Sequence, residues 1–262
     1  MVYRVTESPT KLLSSGPLSL LIPPPASYDG LLSPHDPPIT ERLAKVEGRL
    51  QKAAERGGRQ RSDITLVAVS KKFSAPHLRA AYAAGLREFG ENYIQEFADK
   101  RPELDDLAGA KYHFIGHLQS NKARLACQLF DTVQTADSAK LLTRLDAAAG
   151  ELASPLDVLL EVKLSDEESK SGARPEEVPA LLEAASRCRH LVVSGLMTMP
   201  PWNADPEHSR PYFRQLAALA RDVGLKKLSM GMSGDLEVAI EEGATIVRVG
   251  TALFGPRPKP GL

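Results

Sequence analysis

Short apolar segments alternate along the chain with segments of helical periodicity. Apolar runs rich in β-branched residues predict strands buried on both faces. Eight such runs are present: Ile64–Ser70, Leu86–Gly90, Tyr112–Gly116, Thr132–Thr135, Leu156–Val162, Leu191–Met197, Lys227–Met230 and Thr245–Val249. Between them lie seven helical patterns: Ala75–Ala84, Asn92–Lys100, Ser120–Leu129, Ser138–Ala149, Pro175–Arg187, Glu207–Val223 and Asp235–Glu242.

A further helix precedes the first strand. Thr40 is a good N-cap residue, and Leu43, Val46 and Leu50 recur at helical spacing after it. Strict alternation of strands and helices implies parallel strands with right-handed crossovers. Eight such units predict an α/β fold, a single (β/α)8 TIM barrel with an extra N-terminal helix. A doubly wound open sheet is the alternative, but its Gly-x-Gly-x-x-Gly fingerprint is absent after the first strand.

The ends of the chain differ from its middle. Residues 1–38 are rich in Pro, Ser and Leu and show no sustained periodicity. They indicate a disordered extension, or residues upstream of the true start of translation. We therefore expect the barrel to span residues 39–257, followed by a tail at 258–262.

The composition of the chain argues against two classes of binding partner, nucleic acids and membranes. The 33 basic and 33 acidic residues balance, and aromatic residues make up 5% of the chain, so we expect no binding to nucleic acid or to a membrane. No apolar segment approaches the roughly 20 residues needed to span a bilayer. The two cysteines, Cys127 and Cys188, form no disulfide framework or metal motif, which favours a reducing compartment such as the cytoplasm.

The candidate chemistry begins where the first strand ends. Its apolar run gives way to Lys71 and Lys72. The carboxyl ends of barrel strands form the face that carries the active site. A lysine that is partly desolvated there has a lowered pKa, and its amine can form a Schiff base with an aldehyde. The ordinary alternative is a solvated lysine with no such role.

Other polar residues also follow the predicted strands. They are Glu91, Asn92, His117, Gln119, Asn121, Lys122, Asp137, Ser138, Ser165 and Asp166. Some of them are equally suited to capping the helices that follow. For Ser138, Ser233 and Asp235 the sequence leaves capping and ligand binding equally open.

Two loops after the last two strands are suited to a phosphate. The seventh strand is followed by Gly231-Met232-Ser233-Gly234, and the eighth by Gly250-Thr251. These are the loops that commonly hold a phosphate in this fold, and glycine lets backbone N–H groups approach its oxygens. Neither loop carries lysine or arginine, so binding would rest on amides and hydroxyls. An amine and a phosphate cup on one face indicate a phosphorylated aldehyde, and pyridoxal 5′-phosphate is the obvious candidate.

Seven motifs then occur in order along the chain. They are Val69-Ser70-Lys71, Phe89-Gly90-Glu91-Asn92, the segment from His113 to Lys122, Ser169-Lys170-x-Gly172, Gly195-Leu196-Met197, the segment from Ser229 to Ser233, and the segment from Val247 to Gly255. Together they resemble the pyridoxal phosphate homeostasis protein family, close kin of the alanine racemase barrel. The resemblance runs from about Ile39 to Gly255, and residues 1–38 have no counterpart in it.

The resemblance implies a set of cofactor-binding residues. They are Lys71 as the Schiff-base lysine, Asn92, Met232, Ser233, Arg248, Gly250 and Thr251. Ser233, Gly250 and Thr251 correspond to phosphate ligands, and Arg248 to the partner of the pyridine nitrogen. Without the resemblance, Arg248 would be interpreted as part of a barrel ion pair. Lys163 departs from the family, which usually has Asn there, and this leaves any polar contact from that loop open.

Three functions fit these residues. The first is a non-catalytic carrier that holds pyridoxal phosphate and delivers it to apo-forms of enzymes that use it, for vitamin B6 and amino-acid homeostasis. The second is a small amino-acid racemase, and the third is a barrel enzyme acting on a phosphorylated sugar. Racemisation needs an acid/base group on each face of the substrate carbanion. Related racemases supply one of them from a second domain, which we do not expect here, so we favour a monomeric carrier without turnover of its own.

Overall fold

The computed structural model describes residues 37–167 and 171–257. The predicted tail at 258–262 and nearly all of the predicted extension at 1–38 lie outside these residues. The described α-helices are α1 (Ile39–Arg56), α2 (Ala75–Ala83), α3 (Ile94–Lys100), α4 (Ala123–Leu129), α5 (Ala139–Glu151), α6 (Val178–Ser186), α7 (Arg210–Asp222), α8 (Leu236–Glu241) and α9 (Thr251–Phe254). The strands are β1 (Thr65–Val69), β2 (Glu88–Glu91), β3 (Lys111–Phe114), β4 (Thr132–Ala136), β5 (Leu156–Glu161), β6 (Leu191–Met197), β7 (Lys227–Ser229) and β8 (Ile246–Val249).

The eight strands form a closed parallel barrel in chain order. Closure is made by β1, which pairs with β2 on one side and with β8 on the other. In the β1–β8 ladder, Val67 stands opposite Arg248. The predicted TIM barrel with an extra N-terminal helix is therefore confirmed, and the open sheet is wrong.

The helix α1 completes the outer ring of the barrel. Up to residue 257, where the described part ends, the last strand is followed only by the four-residue α9, which is too short to cover the sheet. Instead α1 packs between α8, α9 and α2, and it buries Val46 and Leu50 completely against them. Thr40 was predicted as its N-cap, and this is wrong. The helix begins at Ile39, because the carbonyl of Pro38 already accepts hydrogen bonds from the amides of Glu41 and Arg42.

The barrel has two buried regions, one between the strands and the helices and one inside the ring of strands. Side chains of successive strand residues point to opposite faces of the sheet. One face, which includes Leu66, Phe89 and Val247, belongs to a large apolar cluster between the barrel and its helices. The other face points into the barrel, where a separate cluster holds only Val67, Leu159, Met197 and Ile246. Many of the other inward side chains are polar, among them Gln134, Glu161 and Arg248, and they belong to the site described next.

None of the helices in the described ranges is long and apolar enough to cross a membrane. Within the same ranges, no group of His, Cys, Asp or Glu side chains could hold a metal ion.

Candidate cofactor site

A tight turn after β1 sets the two lysines apart. The amide of Phe73 donates to the carbonyl of Ser70 at 3.1 Å and closes the turn. Lys72 has a φ of 66°, a left-handed conformation that only glycine adopts without strain. Its amide donates to Glu96 Oε1 at 2.6 Å. The turn leaves Lys71 half-buried over the barrel and Lys72 exposed to solvent.

A buried ion pair stabilises this turn. Lys100 Nζ lies 2.7 Å from Glu91 Oε1, and both side chains are buried. The same ammonium group donates to the carbonyl oxygens of Phe73 at 2.9 Å and Ser70 at 3.3 Å. The Ser70 hydroxyl donates to Glu91 Oε1 at 2.8 Å. Lys100 therefore fixes both ends of the turn that presents Lys71.

The environment of Lys71 favours a neutral amine. Burial is the largest cause that lowers its pKa, and the positive charges of Arg257 and Lys72 lower it further. The Glu91 carboxylate opposes the shift but does not cancel it. Lys71 makes no hydrogen bond or ion pair with any residue that the structure describes. A half-buried lysine amine without a partner is suited to attack a carbonyl carbon.

The loop after β7 is held in one shape by Asp235. This carboxylate accepts from the Met232 amide at 2.7 Å and from the Ser209 hydroxyl at 2.9 Å. Gly231 has a φ of 89°, and a Cβ added there would lie 2.5 Å from the Cβ of Ala239, so only glycine fits. Asp235 occupies the N-cap position of α8, but its side chain makes no capping hydrogen bond there.

The loops after β7 and β8 are joined at their tips. The Ala252 amide donates to the Ser233 hydroxyl at 3.4 Å. The amides of Ser233, Gly234 and Thr251 have no intramolecular acceptor in the described part of the chain. Gly250 lies beside the end of β1, since a Cβ added to it would be 3.5 Å from the Val69 Cβ. A cup of unpaired N–H groups therefore lies next to the turn that carries Lys71, and such a cup suits a phosphate.

A cation from outside these loops also reaches the cup. Arg49, on α1, donates to the Ser233 carbonyl at 2.9 Å and makes two hydrogen bonds to Glu237 at 2.6 and 2.8 Å. The sequence showed no lysine or arginine in either loop, and nothing in the local pattern pointed to α1. The carbonyl contact fixes the loop that carries Ser233.

Arg248 is fully enclosed in the barrel interior. It donates to the Ser229 hydroxyl at 2.6 Å and to the Thr198 carbonyl at 2.9 Å. Burial lowers its pKa to about 10, with Glu161 and Asp235 opposing the shift, so it stays positively charged at neutral pH. No carboxylate is hydrogen-bonded to it among the described residues, so the barrel ion pair considered from the sequence is not formed there.

A cavity of about 500 Å³ opens at the carboxyl-terminal end of the barrel, and neither Lys71 nor Arg248 lines it. Its wall includes Asn92, Met232, Lys163 and Glu161. Gly116 in the same wall lies against the backbone of Asn92, where an added Cβ would be 2.1 Å from the Asn92 carbonyl oxygen. Two of the predicted cofactor residues, together with the position that departs from the family, thus line one cavity.

Glu161 was missed by sequence reasoning. It ends β5, points into the barrel and is 3% exposed, yet its Oε2 has no hydrogen-bond partner among the described residues. Burial raises its pKa to about 7, the nearby Asp137 carboxylate adds to the shift, and Arg248 opposes it. A buried carboxyl group with an unpaired oxygen facing a cavity is typical of a binding site. The sequence did offer one signal for Glu161, its position at the end of an apolar strand.

Several of the polar residues noted in the sequence lie elsewhere. Ser138 caps α5, because its hydroxyl accepts from the Leu141 amide at 3.3 Å. Gln119, Asn121 and Asp137 line a separate groove with Ser138. These residues do not join the group around Lys71, so capping was the correct interpretation for Ser138.

The comparisons with known proteins agree with this geometry. The model of the alanine racemase N-terminal domain family matches residues 43–258. A pyridoxal phosphate homeostasis protein of Pseudomonas aeruginosa is 47% identical over 221 residues, which cover 84% of this chain and 96% of that protein. The structure of PipY of Synechococcus elongatus PCC7942, solved with PLP bound, is 40% identical with a TM-score of 0.73, and the match covers 83% of this chain and 100% of PipY.

A more distant neighbour shares the fold alone. Alanine racemase of Clostridium difficile 630 is 13% identical with a TM-score of 0.65, and the match covers 85% of this chain but 58% of the racemase. The identity and coverage of the Pseudomonas protein, together with the family match over most of the barrel, show that this chain belongs to the pyridoxal phosphate homeostasis protein family.

Proposed function

We propose that this protein holds pyridoxal 5′-phosphate as a Schiff base on Lys71 and maintains or delivers it for vitamin B6 and amino-acid homeostasis, without turnover of its own. The observation that carries the proposal is the half-buried, unpartnered Lys71 amine next to a cup of unpaired amides. The name of the Pseudomonas relative and the PLP-bound structure of PipY support it.

Each predicted residue has a role in this proposal. When bound, pyridoxal phosphate supplies an aldehyde carbon for a lysine amine and a ring that withdraws electrons. Lys71 Nζ would be the group that attacks that carbon, and its lowered pKa favours the neutral amine that such an attack needs. Ser233, Gly250 and Thr251 bind the phosphate, and Asn92 and Met232 line the cavity for the ring. Arg248 donates to the pyridine nitrogen.

Arg248 favours a carrier over a catalyst. A charged guanidinium group at the ring nitrogen disfavours protonation of that nitrogen and makes the ring a weaker electron sink. A weaker sink slows carbanion chemistry at an amino acid, whereas storage of the cofactor does not depend on the sink.

Glu161 is the one observation that favours the racemase alternative. Racemisation needs a second acid/base group besides Lys71. Glu161 has a pKa of about 7 and an unpaired oxygen beside the cavity, and β5 lies across the barrel from β1. The geometry therefore offers a candidate for that second group, and the two functions need a direct experiment.

Proton exchange distinguishes the carrier from the racemase. We expect the PLP-loaded protein to exchange the α-proton of alanine in D₂O no faster than free PLP does. We also expect it to pass its cofactor to an apo-aminotransferase, measured as recovered aminotransferase activity. Deuterium incorporation that both Lys71→Ala and Glu161→Gln abolish would make the racemase the better account.

Partners and location follow from the same proposal. We propose apo-forms of PLP enzymes as recipients, a monomeric protein and a cytoplasmic location. Both cysteines are unpaired, in keeping with a reducing compartment. Sedimentation equilibrium at several concentrations measures the mass, and a dimer would contradict the monomer.

A further inference from the structure

A continuous line of hydrogen bonds crosses the barrel interior. Arg248 Nη1 donates to Ser229 Oγ at 2.6 Å, and that hydroxyl donates to Gln134 Oε1 at 2.6 Å. Gln134 Nε2 lies 3.0 Å from His113 Nδ1, and His113 Nε2 lies 2.6 Å from Glu88 Oε2. We call these five residues the interior chain. It links the candidate cofactor site to the first residue of β2, at the opposite end of the barrel.

The interior chain is shielded from water over most of its length. Ser229 and Gln134 are fully buried, and Arg248 and His113 are buried. Only Glu88 is half-buried, with its side chain 24% exposed. A hydrogen bond in such surroundings is stronger than one in water, and consecutive bonds polarise one another. The interior chain therefore holds its members more firmly than separate surface contacts would.

Both ends fix the direction of the interior chain. A guanidinium group only donates, so the Ser229 hydroxyl must accept from Arg248 and donate its own hydrogen to Gln134 Oε1. The Gln134 amide nitrogen then faces His113 Nδ1, which must be the unprotonated nitrogen. His113 Nε2–H donates to Glu88, and an ionised carboxylate only accepts. Burial opposes the shift, but the hydrogen bond from His113 and the positive charges of Lys111 and Lys227 lower the pKa of Glu88.

Arg248 has little else to hold its guanidinium group. Besides Ser229, its one other hydrogen-bond partner within the described residues is the Thr198 carbonyl. The orientation of Arg248 therefore depends on the Ser229 hydroxyl, which donates its own hydrogen to Gln134. Removing the acceptor at the far end leaves His113 and Gln134 able to reorient, and the Ser229 hydroxyl with them.

We propose that Glu88, at the end of the barrel away from the cofactor, is a positioning residue that orients Arg248 against the cofactor ring through Gln134 and Ser229. This rests on the proposed function, since it assigns Arg248 to the ring. It goes further by giving the carboxylate at the far end of the barrel a part in cofactor binding. Glu88 touches no ligand and acts only through the interior chain.

The first test uses the cofactor-free protein, so it does not depend on the proposed function. ¹⁵N NMR of the histidine side chains should show His113 protonated at Nε2 and unprotonated at Nδ1. In Glu88→Leu this fixed tautomer should be lost, whereas Glu88→Gln should keep it because its amide oxygen still accepts. His113 protonated at Nδ1 in the wild-type protein would overturn the proposal.

The second test uses the loaded protein. Glu88→Leu and Gln134→Leu should each shift the absorption maximum of the bound chromophore and weaken binding of PLP by about five- to tenfold. The double variant should be no weaker than either single one, because both break the same chain. Glu88→Gln should restore affinity and spectrum.

A matched control separates the interior chain from general disturbance of that end of the barrel. Asp157 is also an inward carboxylate at the start of a strand, paired with Lys227 at 2.8 Å, but it is not part of the interior chain. Asp157→Leu should leave spectrum and affinity unchanged. Equal effects of Asp157→Leu and Glu88→Leu, or a spectrum and affinity unchanged in Glu88→Leu, would contradict the proposal. Failure of all variants and of the wild type to bind PLP would instead contradict the proposed function.

Discussion

The carboxylates at the two ends of the barrel differ in how well their oxygens are paired. At the amino-terminal end, Glu88 is bonded to His113 and Asp157 is paired with Lys227. At the carboxyl-terminal end, Glu91 and Glu161 are both buried, and each has an oxygen without a hydrogen-bond partner in the described ranges. Buried polar atoms without partners are rare in folded proteins, because each one costs free energy of folding.

The difference separates stability from binding. Glu88 and Asp157 at the amino-terminal end have partners, whereas the carboxyl-terminal end keeps a lysine without a partner, two unpaired carboxylate oxygens and a strained turn at Lys72. Such features persist where a ligand completes them. Substitutions of the buried charged side chains at the carboxyl-terminal end should therefore change stability strongly in either direction, and that of Asp157 at the other end weakly.

The largest effect is expected at the buried ion pair. Lys100→Met leaves the Glu91 carboxylate buried without its cation, which should lower the free energy of unfolding by about 3–5 kcal/mol. Denaturation in urea measures the change. Lys45→Met is the matched control, because Lys45 pairs with Glu41 while both side chains are more than half exposed. The control should change stability by less than about 1 kcal/mol, and an equally small loss in Lys100→Met would contradict the account.

Substitution of Glu161 should raise the free energy of unfolding, whereas substitution of Lys100 lowers it. Its pKa is raised to about 7 from 4.5, so the folded protein binds a proton more tightly than the unfolded chain does. Ionisation of Glu161 therefore lowers the free energy of unfolding. This loss is complete above about pH 7 and absent below about pH 4, where the carboxyl group is protonated in both states. Glu161→Gln should be more stable than the wild type at pH 8 by about 3 kcal/mol, and equally stable near pH 4. A difference between the two proteins that does not change with pH would contradict this.

The phosphate cup should affect binding rather than folding. If the phosphate binds as proposed, Ser233→Ala and Thr251→Ala would each remove a hydroxyl hydrogen bond to a charged group, worth about 1.5–3 kcal/mol. Affinity for PLP should fall on the order of 10–100-fold for each variant, measured by equilibrium dialysis. Unfolding should be nearly unchanged. Unaltered affinity in the double variant would mean that the phosphate lies elsewhere.

The smallest effect is expected at the amino-terminal end. Asp157→Asn breaks an ion pair whose lysine side chain is 47% exposed, so the loss of stability should be less than about 1 kcal/mol. A loss as large as that of Lys100→Met would remove the contrast between the two ends.

The sequence predicted most of what depends on local pattern. Alternating strands and helices gave the barrel, because period and order determine it. Lys71 and the glycine loops could be found because a strand end and a glycine are visible in one segment. The residues that hold them could not, since Lys100 contacts Glu91 only after α3 has packed, and Arg49 contacts Ser233 across 184 residues.

The interior chain was missed for a related reason. His113, Gln134 and Ser229 lie within segments interpreted as buried strands, where one face was expected to be apolar like the other. Which face each side chain occupies depends on register, and contact between β4 and β7 depends on closure of the barrel. Neither can be derived from any single segment.

The most direct test of the central claim is to find which residue carries the cofactor. The PLP-loaded protein is reduced with borohydride, digested, and mapped by mass spectrometry. We expect the pyridoxyl mark on Lys71, with the visible absorbance lost in Lys71→Ala and kept in Lys72→Ala. A mark on Lys72 or on another lysine, or a loaded protein that keeps its absorbance in Lys71→Ala, would contradict it.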